Sequence, residues 1–361
     1  MLVHICCAVD SHYFLQKLQE IYPDEELIAF FYDPNIHPFS EYQLRLLDVK
    51  RSCEMLGVEL IEGEYDYLGW IEAVRGFENE PEKGTRCDIC FDNRLQTTAK
   101  EAVKLGQNCI TTTLLTSPKK SIEQLKTVGK AIKEKYEVLF LAPDFRKNGG
   151  TQEQFLLAKK DMLYHQNYCG CIYALSKQRD SQQRLADELF LPISKQIQPS
   201  SIEQRIELYK KRVDLEKRGK KYKIVREKFL NYRLLRAYIF QNSKVVPSYL
   251  LSYSTLKKEF IKFKIEIEIK DIYFANRENI KLINLSTFNK LLKSNYKNIQ
   301  DIIKKPPTIE EELSLRNTII DNLYSLSPIV VLQDIELNDK FKLYLNAQTY
   351  DDTRESLIVF S

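Results

Sequence analysis

Five short apolar runs recur between amphipathic stretches over the first 143 residues, and that alternation leaves few folds open. The runs are LVHICCAV (Leu2–Val9), ELIAFFYD (Glu26–Asp33), VELIEGEY (Val58–Tyr65), NCITTTLL (Asn108–Leu115) and EVLFLAP (Glu137–Pro143). Between them, SHYFLQKLQEIY, SEYQLRLLDVKRSCEMLG, CFDNRLQTTAKEAVKLG and SPKKSIEQLKTVGKAIKEKY carry helical periodicity. The second of these reads as a capping box, Ser40 followed three residues later by Gln43, with a stop at Gly57. Continuous apolar strands alternating with helices specify a parallel sheet covered on both faces. Right-handed crossovers then give an α/β, doubly wound sheet of about five strands, in the order 3-2-1-4-5.

In such a sheet ligands bind outside the carboxyl ends of the strands, beside strand 1, where the strand order reverses. Cys6 and Cys7 close the first strand there. YDPNIHP (Tyr32–Pro38), TTTLLTSPKKS (Thr111–Ser121) and APDFRKNGG (Ala142–Gly150) are the loops expected at the same edge.

The 361-residue chain exceeds the usual single-domain size, so two domains are expected. A catalytic α/β domain over residues 1–184 precedes a proline-containing linker at 185–200. A basic α+β module follows over 201–361, beginning with a basic helical region and continuing with β-branched segments from about Lys262. Pro306 and Pro307 mark a break before a further helix. The net charge of +4 is uneven: residues 1–180 hold 27 acidic against 22 basic side chains, whereas 201–240 holds 5 against 13. That basic window is either a solvated helix face or an attractor for a polyanion such as RNA. No apolar run is long enough to span a bilayer, and the N-terminus enters a strand without the basic region of a signal peptide. A cytoplasmic protein with no membrane partner is expected.

In that compartment eight cysteines call for something other than disulfides. Cys53 and Cys109 stand alone, in a helical pattern and an apolar strand, and read as small core residues. The other six form the couples Cys6-Cys7, Cys87-Cys90 and Cys169-Cys171. Cys87-x-x-Cys90 sits at a helix start, where the dipole lowers a thiol pKa. Gly170 lets the backbone turn between its two cysteine neighbours. Structural zinc, a thiol–disulfide couple and an iron–sulfur centre all accept such spacing, and spacing alone does not choose among them.

The motifs LVHICCAVDS, YDPNIHPFSEYQLR, GTRCDICFDNRL, TTTLLTSPKKS and DFRKNGGTQEQFLLAKKDMLYHQNYCGCIYAL together resemble the QueH family of epoxyqueuosine reductases. The resemblance runs from Leu2 to about Ser176 and includes all six paired cysteines. It implies an adenine nucleotide alpha-hydrolase-like fold and a cobalamin-independent enzyme with a [4Fe–4S] cluster and an additional iron. It further implies the last step of queuosine formation, reduction of epoxyqueuosine in a tRNA anticodon loop, with an unidentified electron donor. Cys6, Cys7, Cys87, Cys90, Cys169 and Cys171 match the family cysteines and are expected to share the cluster and the extra metal, with Asp10 as an oxygen ligand. Three positions depart from the pattern: Val9 replaces a proline, His165 an arginine, and Asn167 a common aspartate.

Opening and deoxygenating an epoxide to an alkene consumes two electrons and two protons and releases water. Tyr32, His37, Tyr42 and Tyr168 are candidate proton donors, being titratable groups on the loops around the site. Lys119, Lys120, Arg146 and Lys147 lie on loops at its edge and are candidates for holding tRNA phosphates. The competing reading is a zinc-stabilised RNA-binding or nucleotide-activating protein without redox chemistry. Against it, CCAVDSHYF places sulfurs where a phosphate-binding loop needs glycine.

Overall fold

A computed structural model describes residues 1–117, 121–192, 195–320, 322 and 325–360. The chain divides into two compact units: Met1–Leu189 with Arg205–Ile224 and Leu357–Ser361, and Phe190–Gln204 with Val225–Ser356. The stretch 185–200, expected as a linker, is thus shared between the units, and part of the basic window groups with the first.

The first unit carries β1 (Leu2–Ile5), α1 (Ala8–Ile21), β2 (Ile28–Phe31), α2 (Phe39–Leu56), β3 (Glu59–Glu62), α3 (Tyr67–Ala73), α4 (Thr85–Lys104), β4 (Cys109–Thr112), α5 (Ile122–Tyr136), β5 (Leu139–Phe140), α6 (Gly150–Lys160), α7 (Ile172–Ser181) and α8 (Ile202–Lys217). Its five strands are parallel in the order β3-β2-β1-β4-β5, as the alternation requires. β1 and β2 are buried throughout, which is why both read as unbroken apolar runs.

Two local expectations change. α2 opens at Phe39 with Pro38 at its N-cap and no side-chain cap, so Ser40 lies inside the first turn. Gly57 does end α2 in the left-handed region, its N–H reaching Cys53 and Glu54 carbonyls. The basic window is not helical throughout: α8 stops at Lys217, Gly219 takes φ 63°, and a strand begins at Lys221. Alternating β-branched and aromatic residues after the glycine favour that strand.

α8 is tied into the first unit by buried charge. Arg212 is fully buried, pairs with Asp48 and donates to the Met162 carbonyl at 2.8 Å. Arg51 pairs with Glu216 at 2.8 Å.

The second unit is an α+β module. Its strands are β6 (Lys221–Gln241), β7 (Lys244–Val246), β8 (Ser248–Leu250), β9 (Phe260–Ile269), β10 (Ile272–Ala275), β11 (Lys281–Asn284), β12 (Ile329–Leu332) and β13 (Lys340–Phe360). They form one sheet, β7-β6-β13-β9-β10-β11-β12-β8. Helices α9 (Leu285–Leu292), α10 (Ile299–Lys304) and α11 (Ile309–Ile319) pack on Leu251, Ile283, Ile329 and Val331, and Pro306-Pro307 separates the last two. The opposite face buries Ile239, Phe263, Leu282, Val330, Phe341 and Leu343.

Candidate metal centre

β1 ends at Ile5, and the chain turns through Cys6 into Cys7, the extended N-cap of α1. The turn removes the alternation that sends neighbouring strand side chains to opposite faces, and the two sulfurs stand 4.0 Å apart. One helical turn on, Asp10 brings Oδ2 within 3.8 Å of Cys6 Sγ, while Gln154 Nε2 donates to its Oδ1 at 2.6 Å. Thr113, in the short 3₁₀ turn after β4, sets Oγ1 3.5 Å from Cys6 Sγ. The donor atoms of Cys6, Cys7 and Asp10 lie within 4.8 Å of one another, the one such metal-ready group among the described residues. The contact with Cys6, and then burial, push the Cys7 thiol well above its ordinary value. A thiolate at that position therefore calls for a cation beside it.

A cavity of about 240 Å³ lies over this corner, walled by Cys6, Asp10, Cys87, Cys169 and Tyr168 among others. Each of the three cysteine couples thus supplies at least one wall residue. Cys87 Sγ accepts the Lys83 N–H at 3.3 Å, close to the start of α4. Cys90 and Cys171 belong to an apolar cluster with Trp70, Val74 and Ala174, against which Cys169 packs. Burial, and then Cys169, push the Cys171 thiol up to about 12. No disulfide joins any of the eight cysteines.

The Cys169-Gly170-Cys171 turn is held from outside. Gly170 sits at φ 108°, and a Cβ there would come within 2.9 Å of Ile36, so glycine is required. Arg45, paired with Glu41 at 2.7 Å, donates to the Tyr168 and Cys169 carbonyls at 3.0 and 3.1 Å.

Arg94 is the main charged group that the sequence reading missed. It lines the cavity, is buried, pairs with Asp33 and donates to His4 Nε2 at 3.3 Å. Burial opposes its charge, but Asp33, and then Cys90, Cys6 and Cys169, outweigh that cost and hold the guanidinium protonated. The signal was present: Cys87, Cys90 and Arg94 follow one another at three- and four-residue spacing, along one face of a helix. Arg45, four residues after Glu41 in an otherwise amphipathic helix, was legible in the same way.

The expected proton donors separate. Tyr168 lines the cavity, but its hydroxyl donates to the His37 carbonyl at 2.7 Å, and burial raises its pKa. His37, Tyr32 and Tyr42 are not among the wall residues. His37 stacks on Tyr67 and donates its backbone N–H to the Gly170 carbonyl. Tyr32 stacks on Phe30, and Tyr42 turns its hydroxyl toward Glu62 and Gly63 beside β3. His165 does reach the wall, where its ring meets Phe155. Arg146 donates to Asp144 and to the carbonyl of Ser117, itself a wall residue, and Lys147 is exposed. Lys119 and Lys120 fall outside the described residues. Cys53 and Cys109 sit with the core of the sheet, away from the cavity wall.

Residues 1–177 match the family described as "Epoxyqueuosine reductase QueH". A curated protein of that name from Helicobacter pylori is 38% identical over 353 residues, covering 92% of this chain and 94% of that protein. One from Thermotoga maritima is 38% identical over 183 residues, 50% of this chain and 92% of the relative. One from Haemophilus influenzae is 36% identical over 182 residues, 50% and 72% respectively.

Proposed function

This chain belongs to the epoxyqueuosine reductase QueH family and is an epoxyqueuosine reductase of queuosine biosynthesis, and we propose that it works on a base in a tRNA anticodon loop through the cavity walled by Cys6, Cys87 and Cys169. The observation that carries this is the meeting of Cys6, Cys87 and Cys169, one from each couple, on one wall with Asp10. Nothing observed favours a redox-inactive zinc protein.

The donor set suits an iron–sulfur group: six reduced cysteines from dispersed segments, with a buried guanidinium in the field of three of them. We assign Cys87, Cys90, Cys169 and Cys171 to a [4Fe–4S] cluster and the compact group Cys6, Cys7 and Asp10 to an additional iron. When bound, these supply single electrons and a Lewis acid for the epoxide oxygen. Cobalamin has no part in this reading, and the electron donor is a separate partner.

The chain's own residues do the rest. Both C–O bonds of the epoxide break, an alkene forms between the two carbons, and the oxygen leaves as water after two electrons and two protons arrive. Gln154 fixes the Asp10 carboxylate, and Arg94 offsets negative charge on the sulfurs. Arg45 and Gly170 hold the Cys169–Cys171 turn. His165, a wall residue whose ring meets Phe155, is placed to relay both protons from solvent to the oxygen, while Tyr168 positions the His37 loop through its hydrogen bond. Exposed Lys210, Lys211, Lys217 and Lys220 on and after α8 offer charge for tRNA phosphates, as does Lys147.

Anaerobically purified protein should be brown, hold about four or five irons per chain, and convert epoxyqueuosine in tRNA to queuosine, read by mass spectrometry of digested nucleosides. Colourless protein with a single zinc and no conversion would overturn the reading.

A further inference from the structure

The outward side of the second unit's sheet has a composition that a merely solvated face does not need. β9 and β13 pair antiparallel with Phe341 opposite Phe263 and Leu343 opposite Ile261, all facing the core. The intervening pairs therefore point outward: Lys340 opposite Lys264, Lys342 opposite Lys262, and Tyr344 opposite Phe260. Two successive lysine pairs directly across a ladder repel each other and destabilise the sheet. None of these four lysines has a carboxylate partner among the described residues.

The rings beside them form a continuous platform. Tyr238 of β6 stacks on Tyr344 with centroids 4.7 Å apart and planes 12° from parallel. Phe240 and Phe260 meet the same Tyr344 ring at 6.1 and 5.3 Å. Phe260 is 47% exposed, unusual for a phenylalanine with a core nearby. Lys342 lies 4.6 Å over Phe260 and 4.4 Å over Tyr344, and Arg236 lies 5.0 Å over Tyr238. Flat rings interleaved with uncompensated cations on an open sheet are the chemistry that takes unpaired nucleotides, bases on the rings and phosphates on the ammonium groups.

We propose that the outward face of β6, β13 and β9, centred on Tyr238, Tyr344, Phe260, Lys262 and Lys342, is an RNA-binding platform that contacts unpaired nucleotides of the substrate tRNA. The proposal rests on tRNA being the substrate. It gives the second unit a purpose that the reduction itself does not require, because the Thermotoga maritima epoxyqueuosine reductase QueH aligns over 92% of its length with only half of this chain.

The test uses the full chain and epoxyqueuosine-bearing tRNA, with affinity measured by fluorescence anisotropy across a salt series. Tyr238→Ala/Tyr344→Ala should weaken binding about tenfold. Lys262→Gln/Lys342→Gln should weaken it and flatten the salt slope by one to two units, at about 0.7–0.9 per lost phosphate contact. Lys262→Arg/Lys342→Arg should retain wild-type affinity, and so should the charge-matched control Lys290→Gln/Lys293→Gln, on and just after α9. Circular dichroism should show every variant folded; for an alanine variant that does not fold, Tyr344→Phe against Tyr344→Leu reads the same ring. Platform variants that bind tRNA as wild type does, while wild type converts epoxyqueuosine, overturn the platform alone. A wild-type chain that neither binds nor converts tRNA overturns the substrate reading with it. Loss of binding to phosphatidylglycerol vesicles with tRNA affinity intact would assign the face to a membrane instead.

Discussion

The two sides of the thiol constellation differ in kind. Around Cys6 and Cys7 the neighbours are polar: Asp10, Thr113 and, through Asp10, Gln154. Around Cys90 and Cys171 they are Trp70, Val74 and Ala174. A polar corner with an oxygen donor suits a metal that keeps a position open to substrate. An apolar pocket of buried sulfurs suits a group that stores an electron out of water. Cys87 and Cys169, the couple partners of Cys90 and Cys171, line the same cavity as Cys6 and Asp10, and such proximity is what coupling electron delivery to oxygen removal requires.

The largest effect is expected on the apolar side. Cys90→Ser should abolish the brown chromophore and turnover together, read by absorbance, iron content and nucleoside analysis. Full colour with full turnover would remove Cys90 from the centre. On the polar side, Asp10→Asn should keep most of the chromophore while turnover collapses. Gln154→Ala, which only frees the carboxylate, should cost roughly 10–100-fold in rate. Equal loss of colour in the Asp10 and Cys90 variants would erase the distinction between the corners.

A smaller effect is expected at the turn joining the apolar corner to the cavity. Gly170→Ala forces a methyl against Ile36 at a positive φ and should cost about 1–3 kcal/mol, measured by urea unfolding of the apoprotein. The smallest effect is at the lone thiols. Burial pushes Cys53 up to about 12 and Cys109 up to about 11, so both should resist iodoacetamide at pH 8 in the folded apoprotein. Rapid labelling of either would show that it does not belong to the core.

The sheet order was legible because β1 and β2 are buried on both faces, and an unbroken apolar run is the mark of that burial. The cysteine couples stood out because closely paired thiols with no disulfide joining them have few uses besides holding a metal or exchanging electrons. What escaped was settled by contacts distant in sequence. The partners of Arg94, namely Asp33 and His4, lie 61 and 90 residues away. α3 is only seven residues long, too short to show a period. Tyr42 looked like a site residue because it follows a site loop, but helical geometry turns its hydroxyl to Glu62 beside β3. The basic window hid a change from helix to strand because charge marks both alike and only Gly219 marks the junction.

Three separated thiol couples are proposed to hold a cluster and an additional iron side by side, and iron-edge anomalous scattering from anaerobically grown crystals is the most direct check. Iron peaks are expected inside the cavity, bonded to sulfurs from all three couples, with one iron on the Cys6–Cys7–Asp10 side. Peaks bonded to a single couple, or zinc in place of iron, would contradict it.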